Sequence, residues 1–324
     1  MIDTTIHSFF KNKSVLITGG AGFIGSNLAE TLLKNEAKVV VLDNLSTGRR
    51  ENILEFESNP NFTFIEGDIT DLETCRHACQ NIDYVSHQAA LGSVPRSIAF
   101  PEKTNLVNVQ GFVNMLLAAK DADVKQFVYA SSSSVYGDEP TLPKIESRIG
   151  TPLSPYAVSK LTNELYADVF YKTYGLKTVG LRYFNVFGPK QDPNGAYAAV
   201  IPLFIDRIKK HETVIINGDG NTTRDFTFVA NAVEANLRAL MCSNSEAFAS
   251  VFNVACGQNF SLNQLFDLLK NKMQIEALAE HHEERKGDIR NSLADISKAK
   301  NLLGYEPKVH FEEGIEKTIA WFLK

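Results

Sequence analysis

Hydrophobic positions in the first half of the chain alternate between short β-branched runs and longer segments with helical spacing. The short runs lie at residues 14–18, 38–42, 62–66, 83–87, 126–130 and 177–184. Runs of this length with few polar residues are typical of parallel strands that are buried on both faces. The segments between them, among them 105–122 and 154–174, predict helices. The pattern therefore predicts an α/β fold, a doubly wound parallel sheet with right-handed crossovers.

The first predicted strand runs directly into a glycine-rich turn, GGAGFIG, and then into a helical pattern. Gly19, Gly22 and Gly25 have the spacing of a dinucleotide-binding fingerprint, which brings the backbone close to a pyrophosphate at a helix N-terminus. The second strand leads into Asp43, whose carboxylate can accept hydrogen bonds from ribose hydroxyls and would repel a 2′-phosphate. These features favour NAD over NADP.

A second motif, SPYAVSK, predicts the start of a helix, with Ser154 as the cap and Pro155 in the first turn. Tyr156 and Lys160 are four residues apart and share a helix face, where a cation lowers the pKa of a phenol. A surface pair has the same spacing, but the glycine turn favours a catalytic interpretation. A run of four serines, 131–134, follows the fifth strand, and a hydroxyl at that place can bond both Tyr156 and a substrate hydroxyl and relay a proton between them.

Composition narrows the choice of function. The chain has 324 residues and a formal net charge of −5, which argues against a general nucleic-acid binder. Its four cysteines have no neighbouring ligands to complete a zinc site, so we predict reduced thiols and no metal. His87 is interpreted as a structural residue at a strand end. We find no membrane-spanning run and no secretory signal in the sequence, and we expect a cytoplasmic protein.

Motifs across nearly the whole chain together resemble the extended short-chain dehydrogenase/reductase family. Within it, the chain is most similar to the nucleotide-sugar 4-epimerases, in particular those of bacteria that act on UDP-N-acetylglucosamine in surface-polysaccharide synthesis. The motifs that carry the resemblance are GGAGFIG, DNLSTG, GDIT, HQAALGSVPRS, SSSSVYG, SPYAVSK, RYFNVFGP, NGDG, TRDF and RKGD. The resemblance implies an NAD-binding Rossmann domain over 1–184, with return segments near 226–256, and a smaller C-terminal α/β substrate domain over 185–324 that binds a UDP-sugar.

The resemblance also implies the site residues. Tyr156 would take the proton from the sugar 4-hydroxyl, Lys160 would lower its pKa and bind the nicotinamide ribose, and Ser132 would relay the proton. The implied cofactor-binding residues are Gly19, Gly22, Phe23, Ile24, Gly25, Asp43, Asn44, Ser46, Thr47, Gly48, Asp68, Ile69, Gln88, Ala89, Ala90, Tyr156, Lys160 and Tyr183. The implied substrate-binding residues are Gly92, Ser93, Ser132, Ser133, Ser134, Asn185, Ala199, Val200, Asn217, Arg224, Arg285, Asp288 and Ser292.

Departures from the family pattern refine the expected activity. Related dehydratases and decarboxylases carry an acidic residue where this chain has Ser133 and Ser134, which argues against elimination chemistry. Ser292 stands where UDP-glucose epimerases can hold a tyrosine, and a small residue there predicts room for a 2-acetamido group.

Three alternatives stay open. They are a UDP-glucose 4-epimerase, a UDP-hexuronate 4-epimerase in which Arg290 meets a carboxylate, and a non-catalytic NAD-binding or nucleotide-sugar-binding regulator. A homodimer formed through helices 105–122 and 154–174 is expected from the resemblance.

Overall fold

The computed structural model describes residues 4–193, 199–283 and 290–324. Its strands are β1 (Ser14–Thr18), β2 (Lys38–Asp43), β3 (Phe62–Glu66), β4 (Tyr84–His87), β5 (Gln126–Ser132), β6 (Thr178–Tyr183), β7 (Val186–Phe187), β8 (Val214–Asn217), β9 (Thr223–Arg224), β10 (Thr227–Phe228), β11 (Ser250–Val254), β12 (Phe260–Ser261) and β13 (Ala279–His282). The helices are α1 (Thr4–Phe10), α2 (Phe23–Lys34), α3 (Leu72–Ala78), α4 (Val94–Ala99), α5 (Pro101–Asn105), α6 (Gly111–Asp121), α7 (Pro155–Tyr174), α8 (Val200–Lys209), α9 (Val229–Met241), α10 (Leu262–Met273), α11 (Ser297–Leu303) and α12 (Phe311–Phe322).

The central sheet has seven parallel strands in the order β3–β2–β1–β4–β5–β6–β11. The chain works outward from β1 to β3 and then returns to place β4 on the other side of β1. This reversal leaves a crevice at the carboxyl ends of β1 and β4, where open α/β sheets bind ligands. The predicted Rossmann-like α/β fold is confirmed.

Both faces of the sheet are buried along β1, β4, β5 and β6, as the uninterrupted apolar runs predict, whereas no residue of the edge strand β3 is fully buried. Side chains alternate along β1, so that Leu16 packs with Phe112 and Phe127 on one face. Val15 and Ile17 join a second core on the other face, which continues into the C-terminal part of the chain. Full burial of one such side chain contributes about 1.5–3 kcal/mol, and the two cores hold the sheet rigid beneath the crevice.

Two regions differ from, or add to, the sequence pattern. The helix predicted at 105–122 begins earlier, at Pro101, and passes through a π-helical turn at Leu106–Gln110 before α6. That turn places Asn108 so that its Oδ1 accepts from Leu91 N at 2.7 Å, which fixes the loop after β4. The predicted return segment, 226–256, supplies α9 and also β11, which pairs with β6. Three two-stranded sheets, β7 with β10, β8 with β13 and β9 with β12, complete the C-terminal region.

Candidate active site in the strand-end cleft

A cleft occupies the crevice at the carboxyl ends of the central strands. Every residue predicted to bind the cofactor lines it: Gly19, Gly22, Phe23, Ile24, Gly25, Asp43, Asn44, Ser46, Thr47, Gly48, Asp68, Ile69, Gln88, Ala89, Ala90, Tyr156, Lys160 and Tyr183. The structure brings these residues together, whereas their individual roles as ligands stay predictions.

The glycine turn has the geometry that a bound diphosphate requires. Gly19 is left-handed, with φ +68°, and a Cβ there would lie 2.7 Å from the backbone nitrogen of Ala89. A Cβ on Gly25 would overlap the carbonyl oxygen of Gly19, so the first turn of α2 packs directly on the loop. No side chain caps the N-terminus of α2. The partial positive charge of this helix end therefore faces the cleft and is available to an anion.

Asp43 is held at the end of β2 by the same turn. Its Oδ2 accepts from Ala21 N at 2.9 Å and its Oδ1 from Leu45 N at 2.8 Å. Burial raises the pKa of this carboxyl, against the effect of the two backbone hydrogen bonds. Each carboxylate oxygen has a further lone pair. Asp43 can therefore accept hydrogen bonds from ribose hydroxyls in the position that the sequence predicts.

Ser132, Tyr156 and Lys160 meet on the wall of the cleft formed by β5 and α7. The helix begins as predicted, with Ser154 Oγ accepting from Ala157 N at 3.1 Å. The Tyr156 phenol lies close enough to the Ser132 side chain for that hydroxyl to lower its pKa. The Lys160 ammonium lies 6.0 Å from the centre of the Tyr156 ring. This arrangement can pass a proton between Tyr156 and Ser132.

The predicted direction of the Tyr156 pKa is wrong for this structure. Burial raises the pKa of the phenol, and the Ser132 hydroxyl lowers it only in part. Lys160 donates to the Ala130 carbonyl at 2.8 Å. Burial lowers the pKa of Lys160 to about 8, and Glu164 opposes that shift. Desolvation favours the neutral form of a buried phenol, and this effect, which the spacing of Tyr156 and Lys160 does not reveal, decides the direction here.

Gln88 and Tyr183 are held in the cleft by a buried hydrogen-bond network. The Tyr183 hydroxyl donates to Gln88 Oε1 at 3.0 Å and accepts from Asn236 Nδ2 at 2.7 Å. Gln88 Nε2 donates to Asn236 Oδ1 and to Ser86 Oγ, both at 2.9 Å. Asn236 lies on α9 and was missed by the sequence analysis, because only the folding of α9 against the sheet brings it here.

The predicted substrate residues are more scattered. Gly92, Ser132 and Asn185 line the cleft. The other described candidates, Ser93, Ser133, Ser134, Ala199, Val200, Asn217, Arg224 and Ser292, are not among its lining residues. Arg285 and Asp288 lie outside the described residues.

Several of the scattered residues have clear local roles. Ser93 caps α4, where its Oγ accepts from Arg96 N at 3.2 Å. Ser292 is buried, and its backbone N–H donates to Thr223 O at 3.1 Å, which joins its segment to β9. Arg224 donates from Nη1 to Thr223 O at 3.0 Å. Ser292 and Arg224 therefore belong to a second region, joined through β9, rather than to the lining of the cleft.

Asp225, which was not predicted from the sequence as a functional residue, organises this second region. Its buried carboxylate accepts from the backbone N–H groups of Cys256, Gly257 and Ala294 at 3.0–3.2 Å. Its carbonyl accepts from Asn185 Nδ2 at 3.2 Å, and Asn185 itself has a strained φ of 35°. Burial raises the pKa of Asp225 to about 6 against its backbone hydrogen bonds.

The cleft is also lined by residues that were not predicted: Leu42, Gly67, Leu91, Val107, Ala130, Ser131 and Val186. Most of them adjoin a predicted residue in the chain, so extending each motif by one position would have found them. Val107 had no such signal, because the π-helical turn determines where that side chain lies.

Other titratable groups have structural surroundings. His87 bonds Thr18 Oγ1 through Nδ1 at 2.9 Å, and burial lowers its pKa to about 3, as suits the predicted structural role. Burial raises the pKa of Cys75 and Cys79 to about 12. Among the described residues, no cluster of His, Cys, Asp and Glu is arranged to hold a metal ion. Within those same residues, none of the helices has the length and apolar character needed to cross a membrane.

Comparison with known proteins identifies the group to which this arrangement belongs. Residues 15–255 match the model of the NAD dependent epimerase/dehydratase family. The UDP-glucose 4-epimerase of Mycolicibacterium smegmatis is 37% identical over 309 residues, which cover 95% of this chain and 97% of that protein.

Two solved structures are similar over almost the full length. One is the UDP-N-acetylglucosamine 4-epimerase of Methanobrevibacter ruminantium, in complex with UDP-N-acetylmuramic acid. It has 40% identity and a TM-score of 0.92, with 97% of this chain and 99% of that chain covered. The other is the UDP-glucose 4-epimerase of Thermus thermophilus in complex with NAD, with 35% identity, a TM-score of 0.87 and coverage of 96% and 99%. The matched family is NAD dependent, and this confirms NAD as the predicted cofactor.

Proposed function

This chain belongs to the NAD dependent epimerase/dehydratase family, and we propose that it catalyses 4-epimerisation of UDP-N-acetylhexosamines, interconverting UDP-GlcNAc and UDP-GalNAc. The observation that carries the proposal is the meeting of Ser132, Tyr156 and Lys160 in one cleft with the glycine turn and Asp43. A cleft with a proton relay beside a dinucleotide site suits reversible oxidation of a sugar hydroxyl. We further propose that the product serves surface-polysaccharide synthesis.

The residues that line the cleft are of the types that bind a dinucleotide such as NAD. The turn at Gly19–Gly25 would hold the diphosphate, Asp43 the adenosine ribose, and Lys160 the nicotinamide ribose. Bound NAD⁺ supplies the hydride acceptor and, once reduced, the hydride donor. The buried hydrogen bond between Gln88 and Tyr183 fixes the wall of the cleft that these two residues form.

The proposed proton chemistry belongs to Tyr156. Its phenolate takes the proton of the sugar 4-hydroxyl as the C4–H bond breaks, and Ser132 bridges the two oxygens. The resulting 4-keto sugar turns within the pocket, C4 regains hydrogen on its other face, and Tyr156 returns the proton to the 4-oxygen. Because burial raises the pKa of Tyr156, the positive charge of Lys160 has to stabilise the phenolate when the site is at work.

The sugar assignment rests on a small residue and on a similar structure. Ser292 stands in the segment that joins β9 beside Arg224, and a serine there leaves more room than a tyrosine. The similar M. ruminantium protein, described as acting on UDP-N-acetylglucosamine, supports an N-acetylated substrate. Asn185, Ala199, Val200, Asn217, Arg224, Arg285 and Asp288 are proposed to grip the UDP portion.

We also propose that the chain divides functionally at residue 184, with 1–184 and the return segments binding NAD and 185–324 binding the UDP-sugar.

A homodimer is proposed as well. Leu106 on the π-helical turn and Val158, Leu165 and Val169 on α7 are apolar and 51–61% exposed. Exposed apolar stripes of this kind mark protein interfaces. Sedimentation velocity would show a dimer for the wild type and a monomer for the double variant Leu165→Glu/Val169→Glu; a wild-type monomer would contradict the proposal.

The first experiment is direct. Purified protein without added cofactor is incubated separately with UDP-GlcNAc, UDP-GalNAc, UDP-glucose and a UDP-hexuronate, and the products are resolved by proton NMR. Interconversion of UDP-GlcNAc and UDP-GalNAc supports the proposal together with a resident cofactor. The M. smegmatis and T. thermophilus relatives are named as UDP-glucose 4-epimerases. A preference of this protein for UDP-glucose or for the hexuronate would replace the proposed sugar.

The same assay tests the remaining alternative, a non-catalytic NAD-binding or nucleotide-sugar-binding regulator. Turnover of none of the four sugars, even with NAD supplied, would favour such a binder. A pure binder has no need of the Ser132, Tyr156 and Lys160 arrangement, and for this reason we prefer the catalytic proposal.

A further inference from the structure

A buried ion pair lies directly beneath the catalytic wall of the cleft. Arg182 Nε donates to Glu164 Oε1 at 2.9 Å, and Arg182 Nη2 donates to Glu164 Oε2 at 2.8 Å. Glu164 is 9% exposed and Arg182 is 2% exposed. This two-point geometry is the strongest arrangement for an arginine and a carboxylate. A buried ion pair is weak evidence for stability, so another explanation for its presence is worth seeking.

The carboxylate of Glu164 joins α7 and β5, which carry the proposed reactive groups, to the neighbouring strand β6. Glu164 lies one helical turn after Lys160 on α7. Its Oε1 also accepts from Ser131 Oγ at 2.6 Å, and Ser131 stands between Ala130, the acceptor for Lys160, and the relay residue Ser132. Arg182, on β6, immediately precedes Tyr183 of the cleft wall. One side chain thus fixes the ends of β5 and β6 against α7.

Arg182 is anchored on its other side too. Its guanidinium lies 4.8 Å from the centre of the Tyr136 ring and donates from Nη1 to Glu146 O at 3.1 Å. The Tyr136 hydroxyl donates to Asn253 Oδ1 at 2.6 Å, on β11. The ion pair is therefore built into a rigid support and does not depend on a mobile side chain.

The same carboxylate balances a buried positive charge. Lys160 is 2% exposed, and the two charges lie four residues apart on the same helix face. Burial lowers the pKa of Lys160 to about 8, and the negative charge of Glu164 raises it. Of the titratable groups near Lys160, Glu164 lies one turn further along α7, His87 on β4 interacts with its charge, and Tyr156 and Tyr183 line the same cleft. Among these, Glu164 is the anion.

We propose that Glu164 is a positioning residue of the active site, which holds Ser131 and Arg182 against α7 and keeps Lys160 charged beside Tyr156. The proposal rests on the proposed function, because it explains how the proton relay keeps its geometry and charge. It assigns Glu164 and Arg182 to the support of catalysis, although neither is expected to touch the substrate. Arg182 fixes the carboxylate so that it serves Lys160 and Ser131 together.

The test compares Glu164→Gln, which keeps the size of the side chain but removes its charge, with Glu164→Asp, which keeps the charge. Asp168→Asn is the control, since Asp168 lies one turn further along α7 in an exposed pair with Lys172. We expect Glu164→Gln to lower kcat at neutral pH about ten- to a hundredfold, with KM within about twofold of the wild type. The basic limb of its kcat profile should move to lower pH. Glu164→Asp should restore part of kcat and of the pH profile, and the control should leave both unchanged.

A second measurement needs no turnover and keeps this proposal separate from the proposed function. Protein labelled with ¹³C in the lysine side chains is titrated by NMR, and the Lys160 resonance is identified from its absence in Lys160→Arg. We expect the Lys160 pKa to fall by about one unit in Glu164→Gln and to stay unchanged in Asp168→Asn. If the wild type converts no sugar, the proposed function fails while this titration still decides the role of Glu164.

Glu164→Gln alone leaves the buried charge of Arg182 unpaired and can prevent folding. The double variant Glu164→Gln/Arg182→Met removes both charges of the pair and serves as the second test. We expect it to fold, with a lowered Lys160 pKa and reduced kcat. An unchanged Lys160 pKa in the folded variants, or wild-type kcat and pH profile alongside a lower melting temperature, would overturn the proposal and leave Glu164 a purely structural residue.

Discussion

The cleft and the region beside it are constructed in different ways. In the cleft, the important groups follow regular strands: Gly19 comes one residue after β1, Asp43 is the last residue of β2, Gln88 follows β4, and Ser132 ends β5. The carboxyl ends of parallel strands converge at one edge of a sheet. Position in the sequence therefore determines position in the cleft.

The loop region around Asn185, Arg224 and Ser292 has no such frame. Its strands, β9 and β12, are two residues long, and single bridges tie 290–294 to its neighbours. The buried carboxylate of Asp225 holds the segments together through three backbone N–H groups. Its geometry comes from tertiary hydrogen bonds between distant segments. The comparison shows that a site built at strand ends can be predicted from the sequence. The geometry of a site built from loops can be described only once the tertiary structure is known.

The largest effect that we expect comes from removing the proposed proton acceptor, which lies where α7 meets the end of β5. Tyr156→Phe removes the proton acceptor and leaves the rest of the cleft in place, so turnover should fall roughly 10³-fold while NAD remains bound. Tyr166→Phe is the matched control, the same change at an exposed position of α7. Epimerisation rates and cofactor content are measured on the same samples. Retained turnover in Tyr156→Phe would end its assignment as proton shuttle.

The next effect concerns the stability of the loop region. The folded-state pKa of Asp225, about 6, lies above its ordinary 3.8. The folded protein therefore binds this proton more tightly than the unfolded chain does. The resulting stabilisation is complete below about pH 4 and is lost as pH rises through about 6, on the order of 3 kcal/mol in the free energy of unfolding.

The measurement compares the wild type with Asp225→Asn, which does not titrate, by denaturant unfolding between pH 4 and 7. The wild type should lose its advantage over the variant as pH rises. Asp267→Asn, at an exposed position of α10, is the control and should show no such trend. A difference between wild type and Asp225→Asn that is constant with pH would contradict the inferred titration.

The cleft and the loop region also differ in which of their residues could be predicted from the sequence. Tyr156 and Lys160 were found because helix periodicity places residues four apart on one face. Gly19 and Asp43 were predicted because the order of strand, turn and helix can be recognised from the pattern of apolar and glycine residues. Asp225, Asn236 and Glu164 were not found, because their roles depend on backbone groups and side chains that are distant in sequence. Desolvation of Tyr156 was missed for the same reason, since burial is a property of the assembled fold.

A smaller effect tests the strand-end cleft itself. Gly19→Ala places a Cβ against Ala89 N in a left-handed conformation, whereas Gly92→Ala, in the same cleft, meets no atom within 4 Å. Strain and overlap of a few kcal/mol should weaken NAD binding about a hundredfold in Gly19→Ala. Calorimetric titration of the two cofactor-free variants with NAD measures this difference. Equal affinities in both would mean that the turn does not carry the diphosphate.

The smallest effect, a change of preference rather than a loss, tests whether the loop region selects the sugar. Ser292→Tyr fills the space that we assign to the 2-acetamido group, so kcat/KM should fall about tenfold for UDP-GlcNAc and change little for UDP-glucose. Ser297→Tyr places the same ring on a nearby exposed position and is the control. Because Ser292 is buried, a larger side chain there can also disturb packing, and thermal unfolding separates this from selection. Equal loss on both sugars with an unchanged melting temperature would mean that Ser292 does not select the sugar, and that the loops contribute grip on the nucleotide alone.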